Sequence, residues 1–195
     1  MTRIKSTKPK STKTKTTAVG VGQSPMTRTE VERHLDHIKY LIQDPRRFGR
    51  GATLAGSYRR GLKVSNDIDL IITAPIPQFV QGLGQYVKKT LSAGPVKWSG
   101  IVRLPRSRTG RRLDIIRTQK PGKGSSYWFA LLYFTGSKDH NIKMRRVAQL
   151  RGLRLNQYGL FKDGKRVSKN IASERDIFSA LHITYKAPHD RNLSF

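Results

Sequence analysis

The chain has no cysteine, which excludes a disulfide framework and a cysteine-ligated zinc centre. Its five histidines (34, 37, 140, 182 and 189) show no paired metal-ligand spacing, so any metal must sit on oxygen ligands. Long apolar runs are missing too. The longest, Tyr127 to Phe134, is far short of the ~18–20 residues of a membrane helix, and the N-terminus lacks a signal-peptide apolar region. The expectation is a soluble intracellular protein with no membrane partner. Acid is scarce as well: 12 Asp+Glu stand against 39 Lys+Arg, a net charge of +27. Such an excess implies a polyanionic partner, nucleic acid first, because every neutralised phosphate releases condensed counterions. A solubility tail could inflate the total, but residues 1–24 carry only six of the cations, and +21 remains on the rest.

What is present divides into three stretches. Residues 1–24 are Lys, Thr and Ser with few large apolar groups, and are expected to be a disordered basic arm. A transit peptide is the alternative reading, opposed by the dominance of Lys over Arg. From Thr27, a capping-box spacing with Glu30 and apolar residues at 31, 35, 38, 41 and 42 predict a helix to about Gln43, broken by Pro45 and Gly49. Strands are predicted at Ala52–Ser57, Asp67–Thr73, Val96–Leu104 and Arg112–Thr118. A helix opening at Pro75 and Pro77 is expected to carry Val80, Leu83, Val87 and Leu91 on one face. The basic stretch Arg106 to Arg111 is expected to be a tight hairpin. Beyond a linker at 121–126 come helices at Tyr127–Phe134 and His140–Arg151, the latter closed by Gly152. A hairpin turning at Asp163-Gly164 and a last helix capped by Ser173 and Asp176 follow.

The chemistry concentrates in Gly56-Ser57-Tyr58-Arg59-Arg60-Gly61 and the nearby Asp67-Ile68-Asp69. Side chains alternate along a strand, so Asp67 and Asp69 share a face while Ile68 and Leu70 turn to the core. A few carboxylates together with substrate phosphates suffice for Mg²⁺, and Asp114, between Leu113 and Ile115 on another strand, can supply a third. A lone Asp-x-Asp is more often a solvated strand end. The Gly-Ser turn alters that weighting: its backbone N–H groups and the Ser57 hydroxyl can approach a phosphate, with Arg60 as a charged donor.

These residues resemble the nucleotidyltransferase superfamily, and more narrowly the family X DNA polymerases. The palm signature of that family is matched from Gly56 to Asp69, and its third carboxylate by Arg111-Arg112-Leu113-Asp114. Its thumb signature is matched by Tyr133-Phe134-Thr135-Gly136, followed by Asn141 and Met144-Arg145. Asn156-Gln157-Tyr158 and Tyr185-Lys186-Ala187-Pro188 complete the order. The resemblance implies an α+β fold: a palm with a mixed sheet and helices on one side (25–122) and a small α/β thumb (123–195). It implies template-directed addition of deoxynucleotides to a primer 3′-hydroxyl, with gap filling in repair. Asp67, Asp69 and Asp114 would hold two Mg²⁺ ions, or Mn²⁺ in their place. Gly56, Ser57, Arg60 and Arg28 would bind the triphosphate. Tyr133, Phe134, Gly136, Lys138 and Asn141 would meet the sugar and base of a dNTP, and Arg145, Tyr158, Arg106, Arg108 and Arg111 the DNA. A solvent-facing helix position is the competing reading of Arg28, and an apolar helix end that of Tyr133 and Phe134.

Several positions depart from the family pattern. The short lead before the palm implies the reduced palm-plus-thumb form found in large DNA viruses, without the lyase domain. That form implies a monomer at a nuclear or cytoplasmic viral replication site, its DNA grip supplied by the arm and the basic body. Relatives carry an Arg two residues after the third Asp and a thumb Glu that form a charged latch. Ile116 and Gln157 stand there, so the latch is expected to be absent. Lys138 replaces an Asp beside the base. An RNA-terminal or small-molecule nucleotidyltransferase and a basic DNA-packaging protein remain open alternatives on the residues alone.

Overall fold

The computed structural model describes residues 24–44 and 52–192. The basic arm up to residue 23 and the helix breakers Pro45 and Gly49 lie outside the described residues. Strand β1 (Met26–Thr27) leads into helix α1 (Arg28–Leu41), where the Thr27 Oγ1 accepts from the Glu30 amide at 3.2 Å, as the capping spacing requires. A five-stranded sheet follows, from β2 (Ala52–Leu54), β4 (Asp67–Ile72), β5 (Val87–Ala93), β6 (Lys97–Val102) and β7 (Arg111–Arg117), in the order β2-β4-β7-β6-β5. Only the central pair, β4 and β7, is parallel, so the sheet is mixed. Between β2 and β4 lie the short helix α2 (Gly56–Arg59) and strand β3 (Val64–Ser65), which pairs with β1.

The period of two sorts the two faces of the sheet. Ile68, Leu70, Ile72, Leu113 and Ile115 pack beneath α1 and α3 (Ile76–Leu83) through Val31, Ile38, Phe79 and Leu83. The opposite face presents Asp67, Asp69 and Asp114, and further along, Ile71 and Ile116 meet Tyr127 and Leu131 of helix α4 (Tyr127–Thr135). Helices α1 and α3 therefore cover one face and leave the carboxylate face toward the C-terminal half.

That half has its own core, in which Phe129 and Leu132 of α4 pack with Met144 and Ala148 of α5 (Lys138–Leu150) and Ile177 and Phe178 of α6 (Glu174–Ala180). A three-stranded sheet of β8 (Arg154–Asn156), β9 (Gly159–Lys162) and β10 (Lys165–Arg166) flanks it. Asp163 and Gly164 both take positive φ, at 48° and 75°, the two-residue turn that their dipeptide predicts. Ser137 and Ser173 cap α5 and α6 by accepting from His140 N and Asp176 N. Among the described residues no helix is long and apolar enough to cross a membrane.

The structure departs from the expectations in several places, the first being the strand expected over Ala52–Ser57, which ends at Leu54 and gives way to α2. Helix α3 stops at Leu83, where Gly84 turns to φ +50°, and Val87 and Leu91 belong to the edge strand β5. Their i, i+4 spacing imitates a helix, and β5 is too exposed to show a strand's in-and-out alternation. Residues 103–110 form a longer connection in place of a tight hairpin, with an internal turn closed by Ser107 N donating to Leu104 O. Strand β8 was not expected, since three residues carry too little pattern to read.

A buried ion network ties the two halves together. Glu174, at the start of α6, accepts from Arg191 Nη1 at 2.7 Å and from Arg59 Nη1 at 3.1 Å and Nη2 at 2.5 Å. The Arg191 side chain is fully buried and that of Glu174 nearly so. Arg59 also donates to Thr135 Oγ1, and Arg60 to Thr135 O and to Asn192 Oδ1, so the turn after β2 is fixed against the ends of α4 and of the chain.

Candidate active site

The parallel pairing of β4 with β7 sets Asp69 directly opposite Asp114. Asp67 lies two residues back on the same face, and the three carboxylates each offer an oxygen within 4.8 Å of the others. Burial raises the Asp69 pKa from 3.8 to about 7, with further repulsion from Asp67 and Asp114. Asp67 is also pushed up, by burial first and then by Asp114. Two buried acids held back from ionising, with a third carboxylate beside them on a face with room for oxygen ligation, suit the charge a hard divalent cation would supply. No ion pair reaches Asp67 or Asp69 among the described residues. Asp114 has one: Arg112, two residues earlier on the same face, donates from Nε to Oδ1 at 3.2 Å and from Nη2 to Oδ2 at 3.1 Å.

A raised carboxyl pKa makes stability pH-dependent in a fixed direction. The folded state holds the Asp69 proton up to about 7, whereas an unfolded Asp releases it near 3.8. Between those values the folded form binds more protons, so its stability falls as pH rises. The metal-free protein is expected to melt at progressively lower temperature from pH 4 to pH 7 through this group. Saturating Mg²⁺ should flatten that slope; thermal melts with and without Mg²⁺ test it, and an unchanged slope would contradict this assignment.

The carboxylates form one wall of a cleft of about 600 Å³. Gly56, Ser57 and Arg60 form the adjoining wall, where Gly56 has φ +57° and a Cβ would fall 1.9 Å from Asp69 Oδ2. Only glycine lets the turn lie this close to the carboxylate. The Ser57 hydroxyl donates to Ser65 Oγ at 2.8 Å, which fixes its direction. Across the cleft, the end of α4 and the start of α5 contribute Tyr133, Phe134, Gly136, Lys138, Asn141 and Arg145. Asn141 donates from Nδ2 to Tyr133 O at 2.7 Å, joining the two helices at the mouth.

Other expected residues lie elsewhere. Arg28 lies behind the turn, 4.0 Å over the Tyr58 ring, and donates to Tyr58 O at 2.9 Å, so it braces the turn from outside the cleft. Arg111, expected to contact DNA, is only 8% exposed. Its Nε and Nη2 go to the Glu30 carboxylate at 2.7 and 3.0 Å, a pairing 81 residues distant in sequence, and its Nη1 to Ser24 O, so the guanidinium is directed into the fold. Arg106 lines a second cleft with Lys88 and Arg103, Arg108 is exposed on the same connection, and Tyr158 borders a third cleft with Gln157 and Arg117. Ile116 is buried, and no ion pair joins Arg117 to Asp69 among the described residues. Sequence reading missed Arg112, Lys97 and Ser65. The two-residue spacing of Arg112 from Asp114 was a readable signal, whereas Lys97 enters the cleft only because β6 pairs with β7.

Two family models match the chain: DNA polymerase beta palm over residues 25–120 and DNA polymerase beta thumb over residues 130–192. Repair DNA polymerase X of African swine fever virus is 29% identical over 143 residues, covering 70% of this chain and 78% of the viral protein. DNA polymerase lambda of Rattus norvegicus is 30% identical over 163 residues, and the DNA polymerase/3′-5′ exonuclease PolX of Bacillus subtilis is 31% identical over 165. The matches cover 70% and 83% of this chain, which spans only 28% and 26% of the length of those two relatives. Among solved structures, Leishmania infantum polymerase beta in a ternary gap complex aligns with a TM-score of 0.75 at 27% identity, over 88% of this chain and 72% of the other. Its ternary P/T complex aligns at 0.74, over 88% and 78%.

Proposed function

This chain belongs to the family X DNA polymerases, and we propose that it adds deoxynucleotides to a primer 3′-hydroxyl under the direction of a template, filling gaps in damaged DNA. The observation that carries the reading is the carboxylate trio in register on β4 and β7, facing a cleft walled by cations. In this reading residues 25–122 act as the palm and 123–195 as the thumb.

Asp67 and Asp69 would hold both of two divalent ions, and Asp114 the one beside the primer hydroxyl. When bound, such a pair lowers the hydroxyl's pKa and stabilises charge on the attacking and leaving oxygens. Ser57 and Arg60 bind the β and γ phosphates, and the anchoring of Arg60 to Thr135 O and Asn192 Oδ1 holds its guanidinium beside the acids. Tyr133 and Phe134 pack against the deoxyribose, Lys138 and Asn141 lie against the base, and Arg145 holds the template strand. Arg112 orients Asp114 and balances its charge until a cation arrives. Arg112→Ala is expected to lower apparent metal affinity or turnover about 10–100-fold, the usual effect of removing a group that orients a metal ligand. A Mg²⁺ titration of incorporation rate reads it, and a wild-type profile would remove Arg112 from the site.

The deciding experiment is single-nucleotide incorporation into a gapped duplex with Mg²⁺ or Mn²⁺, using each of the four templating bases, beside tailing of an RNA end. Incorporation that follows the template supports the proposal. Extension of RNA alone would favour the terminal-transferase reading, and no transfer from either substrate would end both.

A further inference from the structure

The two adjacent arginines of the turn after β2 are held in opposite ways. Arg59 is committed to an anion: Nη1 and Nη2 donate to the two Glu174 oxygens, and Nη1 also reaches Thr135 Oγ1. Arg60 meets neutral acceptors instead. Its Nη1 donates to the backbone oxygen of Thr135 and its Nε to Asn192 Oδ1 at 2.7 Å, and among the described residues Nη2 has no hydrogen-bond partner. A charge is offset by an opposite charge, whereas hydrogen bonds to neutral groups fix its position and leave it in place. Arg59 therefore serves the fold, and Arg60 brings an unpaired cation to the wall of the catalytic cleft.

Asn192 is built for that second arrangement. Its Nδ2 donates to Arg60 O at 3.0 Å and to His189 O at 3.1 Å, so one amide clasps both the side chain and the backbone of Arg60. Arg191, the residue before it, is anchored by Glu174, the same carboxylate that takes Arg59. Residues 59 and 60 thus meet residues 191 and 192 through two different links, a buried carboxylate for the first and an amide for the second. An aspartate at 192 would offer Nε the same oxygen, but its charge would cancel that of the guanidinium, and its other oxygen would face two carbonyls where Nδ2 now donates.

We propose that Asn192 is a positioning residue for triphosphate binding: it aims Arg60 into the cleft through Nε and, being neutral, leaves the guanidinium charge for the phosphates of the nucleotide. The two anchored nitrogens, Nε and Nη1, set the plane of the guanidinium, and Nη2 is the one left to reach a phosphate oxygen. This inference rests on the polymerase reading and adds to it a residue 132 positions from the arginine it serves.

The test compares the full-length wild type with Asn192→Ala and Asn192→Asp in nucleotide incorporation at saturating gapped DNA and Mg²⁺. Asn192→Ala is expected to raise KM for the nucleotide about tenfold with kcat within about twofold, and Asn192→Asp to raise KM further. Affinity for gapped DNA and the melting temperature should stay at wild-type values in both, which a general loosening of the thumb would not allow. An unchanged KM in Asn192→Ala overturns the proposal, and so does a parallel loss of KM, kcat and DNA affinity. A KM for Asn192→Asp at or below that of Asn192→Ala overturns the argument from charge. A wild type that incorporates nothing counts against the polymerase reading instead, and calorimetric binding of inorganic tripolyphosphate then decides the role of Asn192 separately: binding weaker in Asn192→Ala and weakest in Asn192→Asp supports it, and equal affinity in all three rejects it. If a variant fails to fold, the side-chain amide NMR signals of Asn192 in the wild type decide during the same titration, saturable shifts supporting the proposal and unmoved signals rejecting it.

Discussion

Replacing Asp69 with Asn is expected to lower single-turnover incorporation at least about 10³-fold, the scale of removing a preorganised group that stabilises transition-state charge. The same substitution should make the metal-free protein more stable. Asp69 ionises only near pH 7 because it is buried beside Asp67 and Asp114. Above that pH the folded chain therefore carries a charge that the unfolded chain solvates freely. An amide of the same shape removes that penalty, and a gain of about 1–2 kcal/mol at pH 8 fits the usual exchange of activity for stability at active sites. The stabilisation given by Mg²⁺, about 2.7 kcal/mol at a hundredfold excess over Kd for the wild type, should shrink in the variant. Calorimetry and incorporation on one preparation read both effects. Loss of activity accompanied by lower stability would indicate a misfolded site, and more than a tenth of wild-type activity would exclude Asp69 as a metal ligand.

Glu174→Gln is expected to destabilise the fold by about 3–5 kcal/mol, the effect of removing one partner from a buried ion pair. Two guanidinium groups converge on this carboxylate, and the Arg191 side chain is 0% exposed, so its charge has no route to solvent once the anion is gone. The amide oxygen can still accept hydrogen bonds, but it cannot neutralise either cation. Chemical denaturation measures the change; a loss under 1 kcal/mol would mean that Arg191 finds another acceptor. Because Arg59 adjoins Arg60, incorporation should also weaken, with the loss appearing in KM for the nucleotide before kcat.

The catalytic wall was legible because it depends on local rules. Asp67, Asp69 and Ile68 are sorted by strand alternation, and Asp114 by its apolar neighbours, so recognising two strands was enough. The Thr27 cap and the Asp163-Gly164 turn were legible for the same reason: each is set by a few adjacent residues. The sequence misled where partners are distant. Nothing near Arg111 announces Glu30, and a basic run that reads as a DNA contact contains one cation committed to an internal pair. The expected hairpin made β6 the neighbour of β7, but the register that sets Lys97 opposite Ile116 depends on the connection at 103–110 and was not readable. Strand β5 misread as helix because an exposed edge strand need not alternate, which left the i, i+4 pair Val87 and Leu91 as the strongest available period.

The side-by-side alignment of β4 and β7 restricts how this chain can change length. Deleting a single residue within 67–72 or 111–117 would reverse the facing of every side chain beyond it, turning isoleucines toward the cleft and burying acids under α1 and α3. Insertions are tolerated only where the backbone lies outside that ladder, as in the connection at 103–110 or the stretch before α4. Length variation among descendants of this sequence should therefore collect in its bends, while these two segments keep an invariant count.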